Sequence, residues 1–129
     1  LKEITGDTME LELVLDSSSA SEFGVKVLCG EDGSNGFTIA SRHASKTLTV
    51  GYINPPFELK KGEDLTLRIF IDKSMIEVFA NDRQAAVAWH EYDPMDLHIS
   101  LFSKGGDMTV KTISSWKMNS IYTKAAAEQ

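Results

Sequence analysis

The sequence predicts an all-β, two-layer antiparallel β-sandwich with little or no helix. Three observations carry that prediction. Apolar and polar residues alternate in run after run, the mark of a strand with one buried face. Turn-forming residues separate these runs about every ten residues, the spacing of sandwiches and barrels. No stretch combines a helical apolar period with capping residues.

The elements follow in order. Met9, Leu11, Leu13 and Leu15 alternate with Glu10, Glu12 and Val14. A Ser-rich loop from Asp16 to Ser21 precedes a second apolar face of Phe23, Val25, Val27 and Cys29. Glu31 to Gly36 holds two glycines and reads as a hairpin loop. Phe37 and Ile39 begin a third strand, and Leu48 and Val50 mark a fourth. Asn54-Pro55-Pro56 then ends that strand and starts an extended connection. Leu65, Leu67, Ile69 and Ile71 alternate with Thr66, Arg68, Phe70 and Asp72. Beyond the Lys73-Ser74 turn, Ile76, Val78 and Ala80 oppose Met75, Glu77 and Phe79. Asn81 to Gln84 makes another turn before a run ending at Trp89. His98–Ser103 and Met108–Met118 supply the last strands. Phe70 and Phe79 lie opposite aliphatic faces, so a loop, domain or partner is expected to cover that second face.

With 129 residues, one domain is expected. Residues 1–122 are assigned to the sandwich, and 123–129 to a frayed or vector-derived tail. The chain starts at Leu1, not Met, and is expected to be an excised fragment. The net charge is −6, with no basic cluster denser than Lys60-Lys61. That balance argues against nucleic-acid binding, which needs a positive patch. No apolar run approaches the roughly 20 residues of a membrane-spanning helix.

Candidate chemistry is sparse. Cys29 is the single cysteine and reads as a small buried hydrophobe. His43, His90 and His98 are scattered and show no zinc-ligand spacing. No Gly-x-Ser-x-Gly elbow or phosphate loop occurs. The Glu31–Gly36 loop lacks the alternating ligands of a helix–loop–helix calcium site. Asp72 and Glu77 flank one tight turn; paired carboxylates serve glycoside hydrolysis, yet a turn-forming Asp and a solvated Glu are the simpler reading. The extended hairpin leaves open whether the two face the same side. Trp89, His90 and Tyr92 form the best local candidate for a carbohydrate or interdomain contact, aromatic faces flanked by polar groups. The competing reading packs Trp89 on its own core. Trp116, in an alternating terminal strand, is expected in the core. No catalytic, metal or cofactor-binding residue is assigned.

Residues 67 to 82 resemble a pattern of family 32 glycoside hydrolases, the invertases, inulinases and levanases. The matching residues are Leu67, Phe70, Asp72, Ser74, Glu77, Phe79, Asn81 and Asp82. Ile4-Thr5-Gly6-Asp7, Phe23-Gly24-Val25, Leu101-Phe102-Ser103 with Gly105-Gly106, and Trp116-Lys117-Met118 extend the similarity from about Leu1 to Tyr122.

The resemblance implies a C-terminal β-sandwich, concanavalin or lectin-like, beside an N-terminal five-bladed β-propeller that carries the catalytic carboxylates. The propeller's motifs, Asn-Asp-Pro-Asn-Gly, Glu-Cys and Arg-Asp-Pro, do not occur in this chain. The chain is therefore expected to be a non-catalytic module without a cofactor. Its expected partner is the propeller of its own parent, a sucrose- or fructan-cleaving enzyme. An autonomous carbohydrate-binding module is the alternative. In the isolated module an orphaned apolar patch is expected, able to promote a weak homodimer. For the parent, an extracellular or periplasmic location is favoured over the cytoplasm. One departure stands out: the family commonly has Gly after the Asn-Asp turn, where this chain has Arg83. Arg disfavours positive φ, so a longer or different turn is expected.

Overall fold

The computed structural model describes residues 4–17 and 19–117. These contain nine strands and no helix. The strands are β1 (Thr8–Asp16), β2 (Glu22–Cys29), β3 (Phe37–Arg42), β4 (Thr47–Val50) and β5 (Leu65–Asp72). They continue with β6 (Met75–Ala80), β7 (Gln84–Trp89), β8 (His98–Lys104) and β9 (Thr109–Lys117). The expected tail at 123–129 and residues 118–122 lie outside the described residues.

The strands form two antiparallel sheets, ordered β7-β6-β5-β1-β9 and β4-β3-β2-β8. This is the predicted sandwich. Its core is the sum of the inward halves of the alternating runs. Leu11, Leu13 and Leu15 from β1 meet Leu67, Ile69 and Ile71 from β5 and Val78 from β6, all fully buried. The facing sheet contributes Phe23, Val25 and Val27 from β2, Ile39 from β3 and Leu48 from β4. Each such aliphatic side chain contributes about 1.5–3 kcal/mol by leaving water.

Two bulges reset the alternation. In β2 the register with β8 slips between Lys26 and Cys29. Leu28, at φ 50°, absorbs the extra residue, so Val27, Leu28 and Cys29 are all buried in succession. The Cys29 thiol donates to the His98 carbonyl at 3.2 Å, and burial pushes its pKa up. In β9, Val14 pairs with Thr112 but Leu15 with Val110. The extra residue, Lys111, flips the inward phase of β9. Trp116 therefore points outward, opposite Glu10, and is 49% exposed. The expectation that Trp116 is core is corrected: an alternation read straight through a bulge assigns the wrong face.

The Arg83 question also resolves. Asn81 and Asp82 hold the left-handed positions at φ 51° and 53°, and Arg83 N–H closes the turn on the Ala80 carbonyl at 3.0 Å. Asn and Asp tolerate that region better than other non-glycine residues. Arg83 stands just past it, where glycine is not needed. Its guanidinium forks onto the Glu63 carboxylate, bonds the Glu58 carbonyl at 2.9 Å and lies 5.4 Å from the Phe57 ring.

Candidate functional site

Cross-strand register assigns the outer face of the five-stranded sheet residue by residue, because directly paired residues share a face. One row runs Trp89, Met75, Asp72, Thr8. The next runs Val87, Glu77, Phe70, Glu10, Trp116. A third runs Ala85, Phe79, Arg68, Glu12, Ser114. In these three rows aromatic and apolar groups share the face with four carboxylates and one guanidinium.

The middle of the face is ordered by its own contacts. Phe70 and Phe79, diagonal across β5 and β6, meet edge to face with ring centroids 6.0 Å apart. The Arg68 guanidinium sits 5.2 Å from the Phe70 ring and within 3.4 and 3.2 Å of Glu10 and Glu12. Asp72 and Glu77 do face the same side, as diagonal neighbours roughly 7–8 Å apart in backbone spacing. Both are half-buried, and neither side chain has a hydrogen-bond or ionic partner among the described residues. They lie on an open sheet face rather than across a cleft.

The three candidate contact residues do not converge. Trp89, at the end of β7, is 59% exposed on the outer face. His90 turns the other way: its ring lies 5.4 Å from Phe37, and its Nε2 is buried without a partner among the described residues. Tyr92 packs against the core and donates to Asp7 Oδ2 at 2.7 Å. Sequence reasoning missed Tyr52, which is 68% exposed. Its hydroxyl accepts the free edge N–H of Trp89 at 3.3 Å, bringing two exposed aromatics to one corner of the sandwich. The available signal was an aromatic stranded between Gly51 and Asn54-Pro55, outside any alternation.

Asp7 fastens the segment before β1 to the rest of the module. Besides Tyr92, both of its oxygens lie 3.3 Å from Lys73 Nζ, and its carbonyl accepts Lys73 N–H at 2.6 Å. The Tyr92 hydroxyl, then Lys73, hold the Asp7 carboxyl below its ordinary 3.8. Burial and the same carboxylate push Tyr92 up to about 12. A depressed carboxylate pKa gives stability present above pH 3.8 and lost as pH falls through the folded value. A raised tyrosine pKa gives stability present below 10 and lost as pH rises through about 12. Tyr92→Phe is therefore expected to cost about 1–2 kcal/mol at neutral pH. It should also flatten the stability profile at both extremes. Thermal melts from pH 2.5 to 11 check this, and parallel profiles for the two proteins would refute it.

A groove of about 580 Å³ opens at one end of the sandwich, between residues 16–17, 19–21, 41–46 and 57–63. Tyr52, Trp89, His90 and Tyr92 do not line it. Several of its charges are matched: Arg42 to Glu22, Lys46 to Glu58 and Glu63 to Arg83. Among the described residues no cluster of three or more His, Cys, Asp or Glu could hold a metal ion.

Comparison with known proteins is consistent with this architecture. The family model described as "Glycosyl hydrolases family 32 C terminal" matches residues 1–117. The levanbiose-producing levanase of Bacillus subtilis is 29% identical over 92% of this chain, which spans only 26% of that enzyme. The exo-inulinase structure from Aspergillus awamori superposes with a TM-score of 0.72 at 21% identity, over 90% of this chain and 26% of that one. The carbohydrate-binding module CBM66 of Bacillus subtilis superposes with a TM-score of 0.67 at 8% identity, over 88% of this chain and 77% of that one. A match over nearly the whole described chain settles the assignment: this protein belongs to the family of C-terminal modules of family 32 glycosyl hydrolases.

Proposed function

We propose that the chain is the non-catalytic C-terminal module of an enzyme that cleaves or transfers β-fructofuranosidic bonds in sucrose or fructans. Its role is to stabilise the catalytic propeller of the same polypeptide and to help shape substrate access. The family match over residues 1–117 carries this reading, and the position of Asp72 and Glu77 supports its non-catalytic part. They are the carboxylate pair nearest to glycosidase chemistry, and they lie on an open strand face. Glycosidase carboxylates flank the scissile bond from two sides. The experiment is a comparison of the full-length polypeptide with a version truncated before this module. Truncation is expected to lower the melting temperature of the catalytic portion and speed its thermal inactivation. An unchanged melting temperature and inactivation rate would contradict the stabilising role.

A second reading, direct sugar binding, is favoured by the exposed Tyr52–Trp89 corner and by the fold likeness to CBM66. Aromatic faces stack on sugar C–H groups, and an edge-anchored tyrosine is already held in place. Titration with levan or inulin oligosaccharides, followed by Trp fluorescence, tests it. Saturable quenching lost in Trp89→Ala is the expected result, and a flat response at millimolar sugar would rule the reading out.

A further inference from the structure

We propose that the groove at the end of the sandwich binds a single sugar unit bearing an anionic group, of the hexose phosphate class. The site is separate from the Tyr52–Trp89 corner and does not depend on the role assigned to the module above.

The floor of the groove breaks the pattern of the core. Phe37, Ile39 and Ser41 occupy alternate, buried positions of β3 and so share one face. Ser41 lies in a row with Phe23 of β2 and Leu48 of β4, where packing alone favours an aliphatic side chain. Among the described residues Ser41 is the only buried polar side chain, 5% exposed, and its hydroxyl makes no hydrogen bond to any of them. A buried hydroxyl without a partner costs stability, so packing does not account for it. Ser41 lines the groove together with Phe23 and Phe57. Asp16, half-buried at the end of β1, lines it too and makes no hydrogen bond or ion pair among the described residues. A sugar ring matches this set: its C–H face meets the apolar floor, and its hydroxyls bond the serine and the carboxylate. The volume of about 580 Å³ lies within the roughly 300–1,000 Å³ of small-molecule sites.

Charge narrows the class. Lys46 meets Glu58 at 3.3 Å, Arg42 lies 3.9 Å from Glu22, and Glu63 is held by Arg83. Lys60 and Lys61, also on the groove, make no ion pair among the described residues. Two ammoniums thus stand against one unpaired carboxylate, Asp16, on a chain whose net charge is −6. A neutral sugar leaves the lysines unused, and a bare anion leaves Asp16 and Ser41 unused. A sugar with an anionic group engages all four. The lysine turn is already built. Lys60 N–H donates to Glu63 Oε1 and Glu63 N–H to the Lys60 carbonyl, both at 2.9 Å. Arg83 bonds the same carboxylate and the Glu58 carbonyl. A wall fixed in advance spares the ligand the cost of ordering it.

NMR titration of the isotope-labelled 129-residue chain tests the proposal, with fructose 6-phosphate, fructose and inorganic phosphate as probes. Fructose 6-phosphate is expected to saturate at millimolar concentrations. It should shift the amides of Ser17, Ser41 and residues 60–62 and leave the Trp89 indole in place. Fructose and inorganic phosphate are each expected to bind about tenfold more weakly or worse. Replacing both lysines, Lys60→Ala with Lys61→Ala, is expected to lower fructose 6-phosphate affinity about tenfold and leave that for fructose unchanged. Ser41→Ala is expected to weaken both sugars about fivefold without lowering the melting temperature, because it removes an unpaired buried hydroxyl. A flat response to fructose 6-phosphate at tens of millimolar would overturn the proposal. Inorganic phosphate binding as tightly would reduce the groove to an anion contact, and fructose binding as tightly would remove the charge requirement; either overturns it. Shifts centred on Trp89 would move the ligand to the other corner and overturn it as well. A Ser41→Ala chain that binds less and also melts lower would make the hydroxyl a structural group and overturn its assignment to the ligand. None of these outcomes bears on the truncation experiment, which tests the stabilising role alone.

Discussion

Gly24→Ala is expected to destabilise the folded chain by about 2–3 kcal/mol, the upper part of the range for overpacking a filled interior. Gly24 is buried in β2, opposite Ala40 of β3 and Phe102 of β8. A methyl group there would meet the Ile39 carbonyl oxygen at 2.1 Å and the Ala40 Cα at 2.7 Å. Both obstacles are backbone atoms of a paired strand, so no rotamer change relieves the clash. The strand must move, and β3 carries Ile39 and Ala40 into buried positions. At the usual conversion the melting temperature falls on the order of 10 °C. A melt within about 2 °C of the unmutated chain would mean that the β2–β3 spacing is looser than the structure requires.

Asn81→Ala is expected to cost about 2 kcal/mol. Its side-chain oxygen accepts the Thr66 N–H at 2.7 Å, and its amide donates to the Asp64 carbonyl at 2.7 Å. These bonds tie the β6–β7 turn to the start of β5 and fix its register with β6. Asn81 also occupies a left-handed position that alanine disfavours. Asn81→Gly separates the two causes, since glycine takes that backbone freely and loses only the side-chain bonds. About half the loss is expected for Asn81→Gly, measured by denaturant unfolding. Equal losses for both variants would remove the backbone contribution.

Acid exposes another fastening near that turn. The Arg83 fork, and then the Lys60 N–H, hold the Glu63 carboxyl down at about 2 from an ordinary 4.5. Its folded pKa is depressed, so its contribution is present above pH 4.5 and is lost as pH falls towards 2. Arg83→Gly, which restores the residue common in the family, is expected to weaken that acid dependence. Melts between pH 2 and 5 read it directly.

Strand positions were legible in the sequence because half-burial writes itself as alternation, and β1, β5 and β6 alternate without interruption. The turn after Ala80 was legible in place but not in type, since Arg83 hides a left-handed pair carried one step earlier. Bulges were not legible. A single inserted residue has no compositional mark, and Lys111 reversed the expected side of Trp116. The site was partly legible. Phe70 and Phe79 signalled an outer face that carries aromatic groups, whereas the Tyr52–Trp89 corner depends on two segments that are distant in sequence. The shared side of Asp72 and Glu77 depended on the phase of the hairpin turn, which residue types alone left open.

The most direct measurement is a fructose-release assay on the isolated 129-residue chain, with folding verified by far-UV circular dichroism. On sucrose, inulin and levan, release at the buffer rate is expected. Turnover by the isolated chain that falls in Asp72→Asn or Glu77→Gln would contradict the non-catalytic reading and place an active site on the sandwich itself.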